Sequence, residues 1–165
     1  MKNFDAVYLV VVFVLIAICA VAQTTAPKTA PAAAPDVSGM YTFLRDGEFV
    51  EIDVEGTIVT GFISRYGDSE SDRGAFLDQI ITKGSLEGKK LTFTTRAVHG
   101  IVYDFKGTVE RGEGKTQGAE AYYVLKGTLT QTTTDANKIT AAKSREVVFK
   151  SFPAEAMAEP AKKKD

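Results

Sequence analysis

The sequence predicts an all-β domain over residues 37–153, an antiparallel up-and-down barrel of about eight strands, with a β-sandwich as the alternative. Three observations lead there. Apolar residues between Val37 and Phe152 alternate with polar ones instead of recurring at helical spacing, the mark of half-buried strands. All 14 glycines lie between Gly39 and Gly127, whereas all five prolines lie outside the stretch 36–152, at Pro27, Pro31, Pro35, Pro153 and Pro160. The connections are too short for the crossover helices that parallel pairing requires. An antiparallel meander of this length avoids exposed edges by curling on itself.

The strands follow in order. Gly39–Arg45 is the first, ended by Asp46-Gly47, a pair suited to the positive φ of a tight hairpin. Glu48–Glu55 sets Val50, Ile52 and Val54 against Glu51, Asp53 and Glu55. Gly56 then leads into Thr57–Arg65. The polar stretch Tyr66–Ala75 separates this from Phe76–Leu86. Lys90–Ala97 is the fifth strand, with Leu91, Phe93 and Thr95 on one face. Ile101–Arg111 and Ala121–Thr132 flank a glycine-rich charged loop. Ser144–Phe152 closes the set with Val147 and Phe149 inward.

The pattern K-G-[ST]-aliphatic occurs three times, at Lys83–Leu86, Lys106–Val109 and Lys126–Leu129. Glycine inside a strand marks a bend, a bulge or a close backbone approach, as a coiled sheet needs.

The flanks differ in kind. Residues 6–22 are an apolar run of roughly 17 residues, short of the roughly 20 that span a bilayer, and end in Ala20-Val21-Ala22. This small-x-small ending predicts a signal peptide, residues 1–22, cleaved after Ala22. The alternatives are an anchor formed by residues 6–22 and lipidation at Cys19. Residues 23–36 form an Ala/Pro/Thr-rich linker and 154–165 a charged tail, neither with enough large apolar groups for a core. The expected location is secreted or periplasmic, with membrane contact only through the export segment.

Gly39-x-Tyr41, Val59-x-Gly61 and the run Lys83–Thr95 (KGSLEGKKLTFTT) carry a resemblance. In these the domain resembles calycin-type barrels, the lipocalin- and avidin-like group, and small secreted bacterial proteins with the same meander. The resemblance implies a barrel and a binding role. Lipocalins typically carry a tryptophan where Tyr41 stands and avidin-like barrels line their pocket with tryptophans; the chain has none, so no ligand residue is carried over.

Composition excludes several functions. A formal charge of −1 from 20 basic and 21 acidic residues does not suit a nucleic-acid binder. One cysteine and one histidine rule out a disulfide framework and do not suit structural zinc. Phosphate-binding glycine loops and the G-x-S-x-G elbow are absent, and no cofactor is expected. His99 reads as an exposed turn residue. Asp53, Glu55, Asp78 and Asp104 are the carboxylates nominated for a hydrolase, and alternation places most of them on the polar face. Asp68, Glu70 and Asp72 form the calcium candidate, although the glycine comes one place late for a calcium loop and Arg65 and Arg73 compete for the acids.

The remaining signal is aromatic. Tyr41, Phe93, Tyr103, Phe105, Tyr123 and Phe149 are predicted on one side of the sheet, where they fill a narrow barrel or line a cavity in a wide one. The candidate ligand-binding residues are therefore Phe93, Tyr103, Phe105 and Tyr123, with Arg96 at the mouth to partner a tyrosine hydroxyl. The functional expectation is a non-enzymatic binding module for a small apolar molecule or for an envelope or extracellular partner. A structural envelope protein with a filled barrel and a hydrolase using mouth carboxylates are the alternatives.

Overall fold

The computed structural model describes residues 36–154. The proposed signal peptide, Cys19, the linker up to residue 35 and the tail beyond Ala154 lie outside the described residues. Eight strands account for the domain: β1 (Gly39–Thr42), β2 (Phe49–Glu55), β3 (Ile58–Tyr66), β4 (Phe76–Glu87), β5 (Lys90–Thr95), β6 (Ile101–Arg111), β7 (Tyr123–Thr134) and β8 (Thr140–Lys150). They form one antiparallel sheet in sequence order, each strand hydrogen-bonded to its neighbours in the chain. A single sheet replaces the sandwich alternative. Among the described residues helix amounts to little more than a 3-10 turn at Glu70–Asp72, and no helix is long and apolar enough to cross a membrane.

The sheet curls strongly into a half-barrel whose two edges meet at one end. Tyr41 bridges Ser151, and the Phe152 N–H donates to the Met40 carbonyl at 2.8 Å. Register shifts between Ile58 and Phe62 and between Ile81 and Lys83 add local twist, as bulges do. The three repeated glycines serve the curl. Gly107 and Gly127 are directly paired across β6 and β7, and a Cβ on Gly84 would lie 2.5 Å from the Val59 carbonyl oxygen. None of the three has positive φ, so space rather than backbone conformation demands glycine there.

The concave face carries the core, with Val50, Ile52, Ile63, Leu91, Leu125 and Leu129 at most 1% exposed. An aromatic chain runs through it. Phe93 stacks on Phe105 at 5.2 Å, Phe105 meets Phe149 at 5.7 Å, and Phe43 touches both Phe149 and Tyr103 at 5.3 Å. Side chains therefore occupy the interior.

Two strand ends differ from the sequence expectation by more than two residues. β1 stops at Thr42 because the chain closes a longer hairpin, with the Phe43 N–H donating to Glu48 and the Glu48 N–H to Arg45. β8 begins at Thr140, inside a stretch read as polar loop. Pairing with β7 continues out to Thr134 and Thr140, and Asp135 Oδ1 accepts both the Asn137 and Ile139 N–H groups at 2.8 Å to make the turn.

Candidate functional site

Buried polarity is concentrated at one mouth of the half-barrel, where β3, β5 and β7 end and β2, β4, β6 and β8 begin. The buried polar residues are Glu48, Ser64, Arg65, Gln79 and Thr95, with Arg65 at 1% and Gln79 at 0% exposure. Strand parity puts three of them inward. Arg65 continues the face of Val59, Gly61 and Ile63, Gln79 the face of Ile81, and Thr95 that of Leu91 and Phe93.

These groups are tied together. Arg65 Nε donates to Gln79 Oε1 at 2.6 Å, and Arg65 Nη1 donates to Asp68 Oδ2 at 2.7 Å and to the Tyr66 carbonyl at 3.1 Å. Gln79 Nε2 donates to the carbonyls of Ile101 and Arg96 at 3.0 and 3.2 Å, and Thr95 Oγ1 accepts the Tyr103 N–H at 3.0 Å. Glu48 accepts from Arg45 Nε at 2.7 Å and from the Tyr66 N–H at 3.0 Å, locking the first hairpin onto β3. That hydrogen bond also raises the Arg45 guanidinium above its ordinary pKa. Burial raises the pKa of Tyr103, whose ring lies 5.9 Å from Arg65 Cζ.

One group is left over. Arg65 Nη2 is buried and has no hydrogen-bond acceptor among the described residues. Two clefts open at this mouth, and Arg65 lines the second. The first, about 290 Å³, is lined by Leu44, Arg45, Glu48, Asp68, Tyr103, Gln131 and Arg145. The second, about 240 Å³, includes Arg65, Asp68, His99 and Ile101 in its wall. Three guanidiniums (Arg45, Arg65, Arg145) thus face two carboxylates (Glu48, Asp68) around this mouth. Arg145 has one weak partner, Gln131 Oε1 at 3.4 Å.

The residues nominated from sequence are scattered. Phe93, Tyr103 and Phe105 are buried in the packed interior, at 2%, 3% and 1% exposure. Of these only Tyr103 reaches the mouth. Tyr123 is half-buried at the opposite end, beside a cleft of about 180 Å³ that also includes Met40, Tyr41 and Phe152. Arg96 is exposed, and the structure does not bring it to a tyrosine hydroxyl. The calcium candidates turn to separate partners: Asp68 to Arg45 and Arg65, Glu70 to Arg73, and Asp72 to His99 at 2.8 Å. Among the described residues no group of three His, Cys, Asp or Glu side chains converges.

His99 occupies a tight turn with Gly100, both at positive φ, and its Nδ1 meets Asp72 Oδ2. Ser69 Oγ donates to that same oxygen at 2.5 Å, which, with His99, holds the Asp72 carboxyl below the usual range. The aspartate therefore stands between serine and histidine. Nucleophilic catalysis needs the histidine in the middle, so these residues do not form a nucleophile–base pair. Of the hydrolase carboxylates, Asp78 accepts from Ser64 Oγ at 2.8 Å and Asp104 from Thr94 Oγ1 at 2.6 Å, while Asp53 and Glu55 are exposed.

No protein-family model, curated protein or solved structure matches this chain. The site is therefore read from its own chemistry. Sequence reasoning missed Glu48, Arg65 and Gln79. The signal for Arg65 was present, since it stands on the inward parity of a strand.

Proposed function

We propose that the chain is an exported, non-enzymatic binding module, released from residues 1–22 and tethered by residues 23–36, that recognises carboxylate groups at the polar mouth of its half-barrel. The observation carrying this reading is the unpaired, buried Nη2 of Arg65, a residue that lines one cleft of this mouth beside a second, polar cleft holding Arg45 and Arg145. A buried donor without an acceptor costs about 1–3 kcal/mol, which an incoming carboxylate oxygen would recover. Arg45 and Arg145 add positive charge at the same rim. Guanidinium forks are well matched to carboxylates.

An apolar ligand inside the barrel has less support, because it would have to displace Phe93, Phe105 and Phe149 from one another. The packed interior also favours a second reading, a structural envelope protein. The calycin-like resemblance is in keeping with either.

The test is an NMR titration of the isotope-labelled protein with acetate, succinate and 1-decanol. The carboxylates are expected to move the Arg65 and Arg145 Nε–H signals saturably. The reading is overturned if neither carboxylate moves them, or if decanol alone binds and shifts Phe93 and Phe105.

A further inference from the structure

The free edge of β8 has a direction that its end contacts reveal. Across the seam to β1, the Lys150 N–H donates to Thr42 Oγ1 at 2.9 Å and the Phe152 N–H donates to Met40. The Ser151 N–H points the other way, to the Tyr123 carbonyl at 3.0 Å. Backbone groups alternate sides along an antiparallel strand. The N–H and C=O groups of Thr140, Ala142, Ser144, Glu146 and Val148 therefore face away from β7.

Among the described residues β8 pairs over this length with β7 alone, since β1 ends at Thr42 and meets this part of the chain only from Lys150 to Phe152. Thr140 to Glu146 are all exposed, and Val148 is 51% exposed. Such an edge is a ready template for another strand.

Charge narrows what can pair there. Lys143 and Arg145 share the concave face with Val147 and Phe149, and neither has a carboxylate partner among the described residues. A second copy would pair β8 to β8 antiparallel about a two-fold axis. Centred on Ser144, that pairing sets Lys143 opposite Arg145 of the other copy. Centred on Arg145, it sets Arg145 opposite itself. Like charges directly opposite each other are destabilising. Residues 23–35 contain no acidic side chain, so the linker does not fit either. The outward side chains offer no such obstacle, because Ser144 and Glu146 are bonded back to Thr130 and Thr128 of β7.

We propose that the edge of β8 recognises an extended acidic segment of a partner protein by strand addition. Main-chain bonds would form to Thr140–Val148, with carboxylates at alternate positions opposite Lys143 and Arg145. The inference rests on the reading of the chain as a binding module and shares Arg145 with the mouth, but it does not need Arg65.

The probes are a fluorescein-labelled acidic peptide of alternating valine and glutamate, its lysine counterpart, and the acidic peptide N-methylated at alternate residues. Each is titrated into the full chain, followed by anisotropy and by amide hydrogen exchange. The acidic peptide is expected to bind and to slow exchange about tenfold or more at Thr140, Ala142, Ser144, Glu146 and Val148. The N-methylated form should not bind, and K143E, which alters only an exposed side chain outside the mouth cleft, should abolish the preference for the acidic peptide.

The proposal is overturned if the acidic peptide fails to bind at about 1 mM, if acidic and basic peptides bind alike, or if binding leaves those amides unprotected. Protection that grows with protein concentration without peptide would assign the edge to a second copy. Protection that E155K/E159K removes would assign it to the chain's own tail. Either result also overturns the proposal. The Arg65 response to acetate is read separately, so an intact response beside an unprotected edge sinks this inference alone.

Discussion

Replacing Gly107 with valine tests the physical basis of the curl. A Cβ at Gly107 would lie 2.5 Å from the Phe105 ring and 2.9 Å from Gly127 Cα, and closer still to the Lys126 carbonyl oxygen. The ring can turn, but the carbonyl belongs to the backbone of β7 and is held by pairing on both sides. Overpacking against such a neighbour falls at the upper end of the usual range, about 3 kcal/mol. Removing a glycine from a strand returns about 1 kcal/mol of backbone entropy. The net loss is about 2 kcal/mol, or a fall in Tm of about 8 °C for a domain of this size. Thermal unfolding followed by far-UV circular dichroism measures it. Gly107→Ala and Gly127→Ala should also couple in a double-mutant cycle, since each Cβ would approach the other's Cα. A valine variant as stable as the parent would refute the close-approach argument.

Other perturbations follow from the same contacts. Glu48→Ala leaves the part-buried Tyr66 N–H without its acceptor and takes one partner from the half-exposed Arg45 guanidinium, and should lower stability by about 1–2 kcal/mol in urea unfolding. Tyr41→Phe removes the 2.6 Å bond to the buried Val37 carbonyl and should cost about 1–2 kcal/mol at neutral pH. Burial, then Tyr123 and Asp36, raises the Tyr41 pKa in the folded state. The parent should therefore lose stability as pH climbs above about 10, where the unfolded tyrosine ionises first, and Tyr41→Phe should flatten that loss. Asp72 behaves oppositely. Its carboxyl is held low by Ser69 and then His99, so its contribution is present above about pH 4 and disappears as pH falls below that value. Asp72→Asn should reduce the acid-side slope of stability against pH. Millimolar calcium or a chelator should leave Tm unchanged, because Asp68, Glu70 and Asp72 turn to separate partners; a calcium-dependent rise would restore the loop as a site.

Much of the fold was legible because strands leave a period-two record. β6 runs from Ile101 to Arg111, as the alternation predicts, and the inward parity of Phe93, Phe105 and Phe149 follows from it. The three K-G-[ST] glycines could be read as bend points since a missing side chain inside a strand has few other uses. The candidate site was less legible. Parity places Arg65 inward, but whether that level of the barrel is oily or polar depends on Gln79 and Asp68, which arrive from β4 and the following loop of β3. No short-range pattern connects them. Glu48 was read as the first residue of an alternating strand, yet it is a buried hairpin clasp, because β1 ends three residues earlier than its composition suggests.

By itself, then, the sequence determined the class of fold, the strand order and the inner face of most strands, all of which depend on local alternation and on connections too short for crossover. Tertiary structure decided how far the sheet closes. Closure depends on strand lengths, bulges and register summed around the whole sheet, so a β1 of only four residues leaves most of β8 without a partner on its outer side. The same sum decides which inward positions lie beneath packed rings and which stand at a mouth. That is why Phe105 became core while Arg65, equally inward, became the group with hydrogen-bonding capacity to spare.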